Sequence, residues 1–276
     1  MNEVKEYFQK KAIKYDDVDN QLYWVLSDVL LWDIFDKKVL SKFKNEPFTF
    51  LDAGAGTGRW TIKILEEYPN SKGIMIDLSA DMLNVAKEKL NILNYMDRVK
   101  IINGDLDTIK INEEEVDISF SFHNVLGFVE DAEKVIAKMT KAAKIGGYIV
   151  CGVPNYYHNI YFNISTNQLE LAVESFIFKK GKFTKDMPSM HMFTPSNLHT
   201  IFEKNNIKDS IVLGFPVLIY PGYSETQIEG QTNKIKDILQ NEVNFEKIIK
   251  IEKKLIYEEE CASRGNQIVV IGQKGS

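Results

Sequence analysis

The sequence predicts a doubly wound α/β fold with a seven-stranded, mostly parallel sheet. Three observations carry that expectation. Short apolar runs alternate with stretches of helical length across residues 47–153. A glycine turn, Gly54-Ala55-Gly56-Thr57-Gly58, follows the first run and opens a helix. An acid, Asp77, closes the second run. Strands alternating with helices imply a parallel sheet covered on both faces.

Residues 1–46 read as helix, with aromatic residues at Tyr7, Phe8, Tyr15, Tyr23, Trp24, Trp32 and Phe35, and Pro47 closes the segment. Strand 48–52 then leads to a helix near 57–67 and strand 73–77. Ser79 is placed to cap a helix over 80–93, because its hydroxyl can accept from early amides. Strands at 99–103 and 116–122, a helix near 131–143 and strand 147–153 complete the alternation. Residues 154–192 are rich in Tyr, Phe, Asn and Met and show no clear period. Thr194-Pro195-Ser196 starts a helix that runs to about Asn205, with Pro near its first turn. Strand 208–219, a largely helical charged stretch over 220–262, and a final strand over 266–272 follow. The expected organisation is an N-terminal helical lid, 1–46, and one domain, 47–276, with cap insertions at about 154–192 and 220–262. Ligands of open α/β sheets bind outside the carboxyl ends of the strands. Both insertions leave strands at that edge, so they are expected to cap the site with the N-terminal helices.

The glycine turn has a chemical reading. Gly54 supplies a conformation that a side chain would forbid, Gly56 allows close approach to a ligand, and Gly58 allows tight helix–strand packing. A dinucleotide site has the spacing G-x-G-x-x-G. Here the spacing is G-x-G-x-G, and Asp52 precedes it. A carboxylate there would repel a pyrophosphate and suit an ammonium group. The pattern therefore favours S-adenosylmethionine over a nicotinamide cofactor.

On these residues the chain resembles the class I S-adenosylmethionine-dependent methyltransferases, with their Rossmann-like fold. LDAGAGTGRW resembles their first motif, IDLSADMLNVAKEKL the second, INGDLDTI the third, VDISFSFHNVLGFVED the fourth, and GGYIVCGVPN the strand after it. The resemblance is close over about residues 45–155. It implies that Asp77 binds the ribose hydroxyls, that Asp105 and Leu106 lie near the adenine, and that Met82 packs on it. Asp52, Gly54 and Gly56 would hold the rest of the donor, with Leu78 and Phe122 beside them. Tyr15-Asp16 resembles the aromatic–acid pair that closes over the cofactor from an N-terminal helix.

Composition sets limits. A chain of 276 residues that is 44% hydrophobic can bury a sizeable core, and its net charge of −5 gives no overall basic character for nucleic acid. Cys151 and Cys261 form no metal spacing, and free thiols fit a reducing cytoplasm. No signal-peptide pattern or membrane-length apolar run is expected. The expected state is a cytoplasmic monomer or homodimer. His158, His191 and His199 make no metal pattern, so no metal site is expected.

Methyl transfer asks a protein mainly to align the acceptor and exclude water. A general base is optional. His123 and Asn124, beyond the fourth strand, are the catalytic candidates: His123 as base or orienting group, or as a ring that only packs there. Trp24, Tyr156, Tyr157 and Tyr161 are candidate walls of the acceptor pocket, since aromatic faces suit developing positive charge. Arg59 either pairs with a lid acid or is solvated. Glu258-Glu259-Glu260 reads as a solvated face or a cation-holding group. FHNVLGFVEDA resembles a tRNA carboxymethoxyuridine methyltransferase group. The first half also resembles methyltransferases of bacterial peptide and natural-product pathways. Arg59, Arg98 and Arg264 are the only arginines. The sequence therefore favours a small-molecule or peptide acceptor, methylated on nitrogen or oxygen. A tRNA acceptor and a non-catalytic S-adenosylmethionine-binding protein are the alternatives.

Overall fold

In the computed structural model, residues 3–220 and 234–276 are described. The part of the second insertion that falls at 221–233 lies outside them. The chain opens with α1 (Glu3–Lys11), a 3-10 stretch (Ala12–Asn20) and α2 (Leu22–Lys38). The expected continuous N-terminal helix is thus broken at 12–20. On α2, Tyr23, Leu26, Ser27, Leu30, Leu31, Ile34 and Phe35 are buried, a helical stripe facing the sheet.

The seven strands are β1 (Phe48–Ala53), β2 (Ser71–Asp77), β3 (Val99–Asn103), β4 (Val116–Ser121), β5 (Ala143–Pro154), β8 (Ile207–Phe215) and β9 (Gln267–Lys274). Their order is β3-β2-β1-β4-β5-β9-β8. The first five are mutually parallel, and β9 runs antiparallel between β5 and β8. β8 therefore points the same way as β5, and both release the chain at the edge that carries the glycine turn.

Period-two alternation builds two cores. Phe50, Phe120, Val150 and Val269 face α2 and α3 (Arg59–Glu67). Leu51, Ile149, Cys151 and Val270 face α6 (Ala132–Ala142) and α9 (Pro195–Lys204) on the other side. On the first side α4 (Ala80–Ile92) packs through Leu83, Ala86 and Leu90. A short α5 (Val125–Phe128) follows β4.

The first insertion holds α7 (Tyr156–Ser165), α8 (Leu169–Phe178) and a two-strand hairpin, β6 (Lys180–Gly181) with β7 (Met190–His191). Helix α7 is largely inverted: His158, Asn159 and Asn163 are buried beside Phe162, while Tyr157, Tyr161 and Ile164 are exposed. Its inner face is a polar network. Ser175 donates to Asn159 Oδ1 at 2.6 Å, and the Asn159 and Asn163 amides both donate to the Lys182 carbonyl at 3.0 Å. An inward polar face leaves no hydrophobic period to read.

The described part of the second insertion holds α10 (Lys234–Gln240) and α11 (Glu242–Leu255), followed by a 3-10 turn (Glu259–Arg264). Both helices pack on α2. The buried Glu252 carboxylate accepts backbone N–H groups from Val217, Leu218 and Ile219 at 2.9, 2.9 and 3.0 Å. No described helix is long and apolar enough to cross a membrane.

Candidate functional site

The site begins at the end of β1. Gly54 and Ala55 donate to the Ile76 carbonyl at 2.8 and 3.0 Å, which ties the turn to β2. Gly54, Gly56 and Gly58 have φ of +88°, +53° and +76°. A Cβ on Gly54 would meet the Val125 methyls at 2.5 Å, whereas one on Gly56 would meet nothing within 4 Å. Gly56 therefore faces open space beside a cavity, where a ligand can reach the backbone.

Asp77 organises the turn. Its two carboxylate oxygens accept from Gly56 N and Ser79 N, each at 2.8 Å. Burial raises its pKa, and the Ser79 and Gly56 amides oppose that rise. Asp52 is also buried, and Thr61 Oγ1 donates to its Oδ2 at 2.7 Å. Burial pushes the Asp52 carboxyl up to about 7; the Thr61 hydrogen bond pulls it down and the Asp77 charge adds to the rise.

A cavity lies over these groups. Gly54, Gly56, Asp77, Leu78, Met82, Asp105 and Leu106 line it, with Val4, Lys5, Phe8 and Tyr15 closing it from the N-terminal segment. It continues into a narrower recess walled by Asp52, Thr57, Trp60, Phe122 and His123. All ten residues expected at the donor line one or the other of these two adjoining spaces, which share Tyr15, Gly54 and Gly56. Asp105 Oδ1 caps Asp107 N at 2.9 Å, and Asp107 in turn accepts from Glu130 N and Asp131 N. The loop after β3 is therefore fixed to the loop after α5. Asp16 latches the N-terminal segment over the cavity: Thr57 Oγ1 donates to its Oδ1 at 2.6 Å, and Lys89 Nζ to its Oδ2 at 2.7 Å.

A second chamber adjoins the first through Tyr15 and His123. Trp24, Asp28, Arg59, Asn124, Phe128, Met187, Met190 and Gln267 line it. Arg59 Nη2 binds Asp28 Oδ2 of α2 at 2.5 Å, so Arg59 pairs with an acid of the N-terminal segment and is not simply solvated. Trp60 Nε1 donates to His123 Nε2 at 2.6 Å. Asp28 Oδ1 lies 3.5 Å from the same His123 nitrogen. That nitrogen uses its lone pair to accept the indole proton, so it brings no hydrogen to Asp28. Both His123 and Asn124 have left-handed backbones, with φ of +52° and +66°. They form the turn that points β4 into α5.

Three expected pocket residues are not brought to either chamber. Tyr157 and Tyr161 are 49% and 56% exposed on the outer face of α7. The Tyr156 hydroxyl donates to the Phe176 carbonyl instead. The inversion of α7 turns these rings outward. Glu259 and Glu260 are exposed on the 3-10 turn; the buried acid of this region is Glu252. Sequence reasoning missed Asp28, Met187, Met190 and Gln267 in the second chamber. Asp28 had a signal, as the lone charge in the apolar run Leu22–Trp32.

The donor cavity fits a ligand with one adenosine end and one ammonium end. Asp77 and Asp105 line the wider part and Asp52 the narrower recess, Gly54 and Gly56 line both, and apolar side chains (Met82, Leu106, Phe8) complete the wall.

Comparison with known proteins agrees with that fit. Residues 50–147 match a family profile described as a methyltransferase domain. Over 107 residues the chain is 32% identical to a malonyl-[acyl-carrier protein] O-methyltransferase of Xylella fastidiosa (strain M23), covering 39% of this chain and 35% of that protein. Over 126 residues it is 28% identical to a demethylmenaquinone methyltransferase of Chlamydia caviae, covering 45% and 50%. The chain thus spans half or less of the length of these curated relatives. A solved S-adenosylmethionine-dependent methyltransferase of Thermotoga maritima shares the fold, with a TM-score of 0.57 at 14% identity over 98% of this chain and 99% of that one.

Proposed function

We propose that the chain, whose residues 50–147 match a methyltransferase-domain profile, uses S-adenosylmethionine to methylate a nitrogen or oxygen of a small molecule or peptide. The observation that carries this reading is the pair of chambers meeting at Tyr15 and His123, one shaped for the donor and one for an acceptor. Bound S-adenosylmethionine would supply an activated methyl group on a sulfonium.

The chain's own residues do the rest. Asp77 would accept from the ribose hydroxyls, Asp105, Leu106, Leu78 and Met82 would flank the adenine, and Asp52 would face the ammonium. Gly54 and Gly56 would border the donor backbone to backbone, and Phe122 would close the recess behind it. Tyr15, held by the Asp16 latch, would shut the cavity against water. His123 and Asn124 would position the acceptor, and Trp24 would form its wall. The segment at 1–46 acts as the lid over the domain at 47–276 through Phe8, Tyr15 and Trp24, and the insertion at about 154–192 adds Met187 and Met190 to the second chamber, whereas no described residue of the insertion at about 220–262 lines either one.

The relatives' names divide between malonyl-[acyl-carrier protein] and demethylmenaquinone, so they point to no single acceptor for this chain. A wall of aromatic and methionine side chains with one arginine favours a small acceptor over the backbone of tRNA. The test is transfer of isotopic methyl from S-adenosylmethionine, with donor binding followed by calorimetry. Label entering total tRNA alone would overturn the acceptor class. Absence of donor binding would overturn the whole reading.

A further inference from the structure

Resting on the methyl-transfer reading above, we propose that the second chamber takes an amine and that Asp28 receives its proton. Asp28 Oδ1, Asn124 Oδ1 and Gln267 Oε1 are buried with no hydrogen-bond partner among the described residues, and all three residues line this chamber. A buried acceptor oxygen left without a donor is destabilising, so their grouping marks where a ligand's hydrogens belong. A carboxylate brings no hydrogen and would set an anion beside Asp28. A hydroxyl brings one. An amine brings two or three. Trp24, Phe128, Met187 and Met190 complete the wall, and aromatic faces and thioethers accommodate a cationic nitrogen. The cations on this wall already have partners: Arg59 binds Asp28, and Lys11 Nζ reaches Tyr7 Oη at 2.5 Å.

His123 is the competing proton acceptor. Its Nε2 holds the Trp60 indole hydrogen, and a proton arriving there would break that bond. On Asp28, Arg59 binds Oδ2, while Oδ1 is buried, makes no hydrogen bond and belongs to a residue that lines the chamber. The exchange balances as follows. The acceptor's ammonium gives one proton to Asp28 Oδ1, which frees the nitrogen lone pair. That pair forms the new N–C bond while the C–S bond of the donor breaks and its electrons return to sulfur.

The test incubates the full chain with trideuteromethyl donor and a metabolite and peptide extract, and locates the label by tandem mass spectrometry. Label on nitrogen is expected; label on a carboxylate or hydroxyl oxygen overturns the proposal. No label despite calorimetric donor binding would instead sink the methyltransferase reading itself. Asp28→Asn should lose about tenfold or more of the labelling, the loss of one charge-assisted hydrogen bond, with donor affinity unchanged. Unchanged labelling by this variant also overturns the role of Asp28. A binding readout independent of turnover uses tryptophan fluorescence, with 2-phenylethylamine and 3-phenylpropanoate as probes and S-adenosylhomocysteine present. Tighter binding of the amine, lost in Asp28→Asn, is expected. Equal or tighter binding of the carboxylate overturns the assignment.

Discussion

Trp60 donates its indole N–H to Nε2 of His123 across 2.6 Å, and this bond fixes what His123 can do. An imidazole nitrogen that accepts from tryptophan is oriented, and its lone pair is occupied. His123 is thereby held in one orientation at the junction of the two chambers.

The bond has a measurable consequence for stability. His123→Ala leaves the Trp60 N–H without its acceptor, which should destabilise the fold by about 1–3 kcal/mol. His123→Gln offers an amide oxygen in its place and should recover much of that loss. Both variants bear the same left-handed backbone strain, so the comparison isolates the hydrogen bond. Urea unfolding of the pair checks it; equal losses would show that the indole bond contributes nothing.

Asp77 holds the glycine turn and, in the proposed reading, the donor's ribose, and substitution should separate the two. Its oxygens hold Gly56 N and Ser79 N before any ligand arrives. Asp77→Ala should lower unfolding stability and also weaken S-adenosylmethionine binding by about 1.5–3 kcal/mol, roughly ten- to a hundredfold. Calorimetry and urea unfolding together check this. Full donor affinity in a destabilised variant would leave Asp77 with the structural task alone.

The raised pKa of Asp52 predicts a pH dependence with a definite sign. Its folded pKa of about 7 lies above the unfolded carboxylate value. The folded state therefore binds the proton more tightly than the unfolded state. Its contribution to stability is complete below about pH 4 and is lost as pH rises to about 7, a change on the order of 4 kcal/mol at most. Asp52→Asn should flatten that part of the stability profile. If the ionised carboxylate meets the donor's ammonium, affinity should fall about fivefold from pH 7 to pH 6. Calorimetry at the two values, with Asp52→Asn as the pH-insensitive control, decides it.

The sequence made the sheet and the donor loop legible for physical reasons. Parallel strands buried on both faces read as apolar runs, and a ligand turn needs glycine where φ is positive. All seven strands lie where the alternation placed them, to within a few residues at their ends. Helix α7 was opaque because its buried side mixes His158, Asn159 and Asn163 with a single Phe162, while Tyr157 and Tyr161 face outward. Asp28 escaped notice because its partner, Arg59, lies on a different element. The run Glu258–Glu260 drew attention by its density, yet the buried carboxylate is the less conspicuous Glu252 on α11.

Glu252 supports a prediction of its own. One carboxylate satisfies three consecutive backbone N–H groups where the chain leaves β8. Glu252→Ala would leave the buried Val217 amide and the part-buried Leu218 and Ile219 amides without this acceptor, and a loss of about 3 kcal/mol is expected. Glu252→Gln keeps one acceptor oxygen and should fall between. Urea denaturation of the three proteins checks the order. A neutral Glu252→Ala would mean that the chain after β8 rearranges to hydrate its amides.

The Asp16 latch joins the 3-10 stretch to the glycine turn through Thr57 and to α4 through Lys89. Both partners belong to the domain that would hold the donor, and Asp16 belongs to the segment that covers it. Opening the cover must therefore break both contacts. Asp16→Ala should speed release of S-adenosylmethionine by about tenfold, the equivalent of one charge-assisted hydrogen bond. Thr57→Val and Lys89→Ala each remove half of the latch and should have smaller effects. Stopped-flow displacement measures all three rates. A release rate unmoved by Asp16→Ala would mean that the packing of Phe8 on Phe128, whose ring centroids are 5.2 Å apart, holds the cover without the latch.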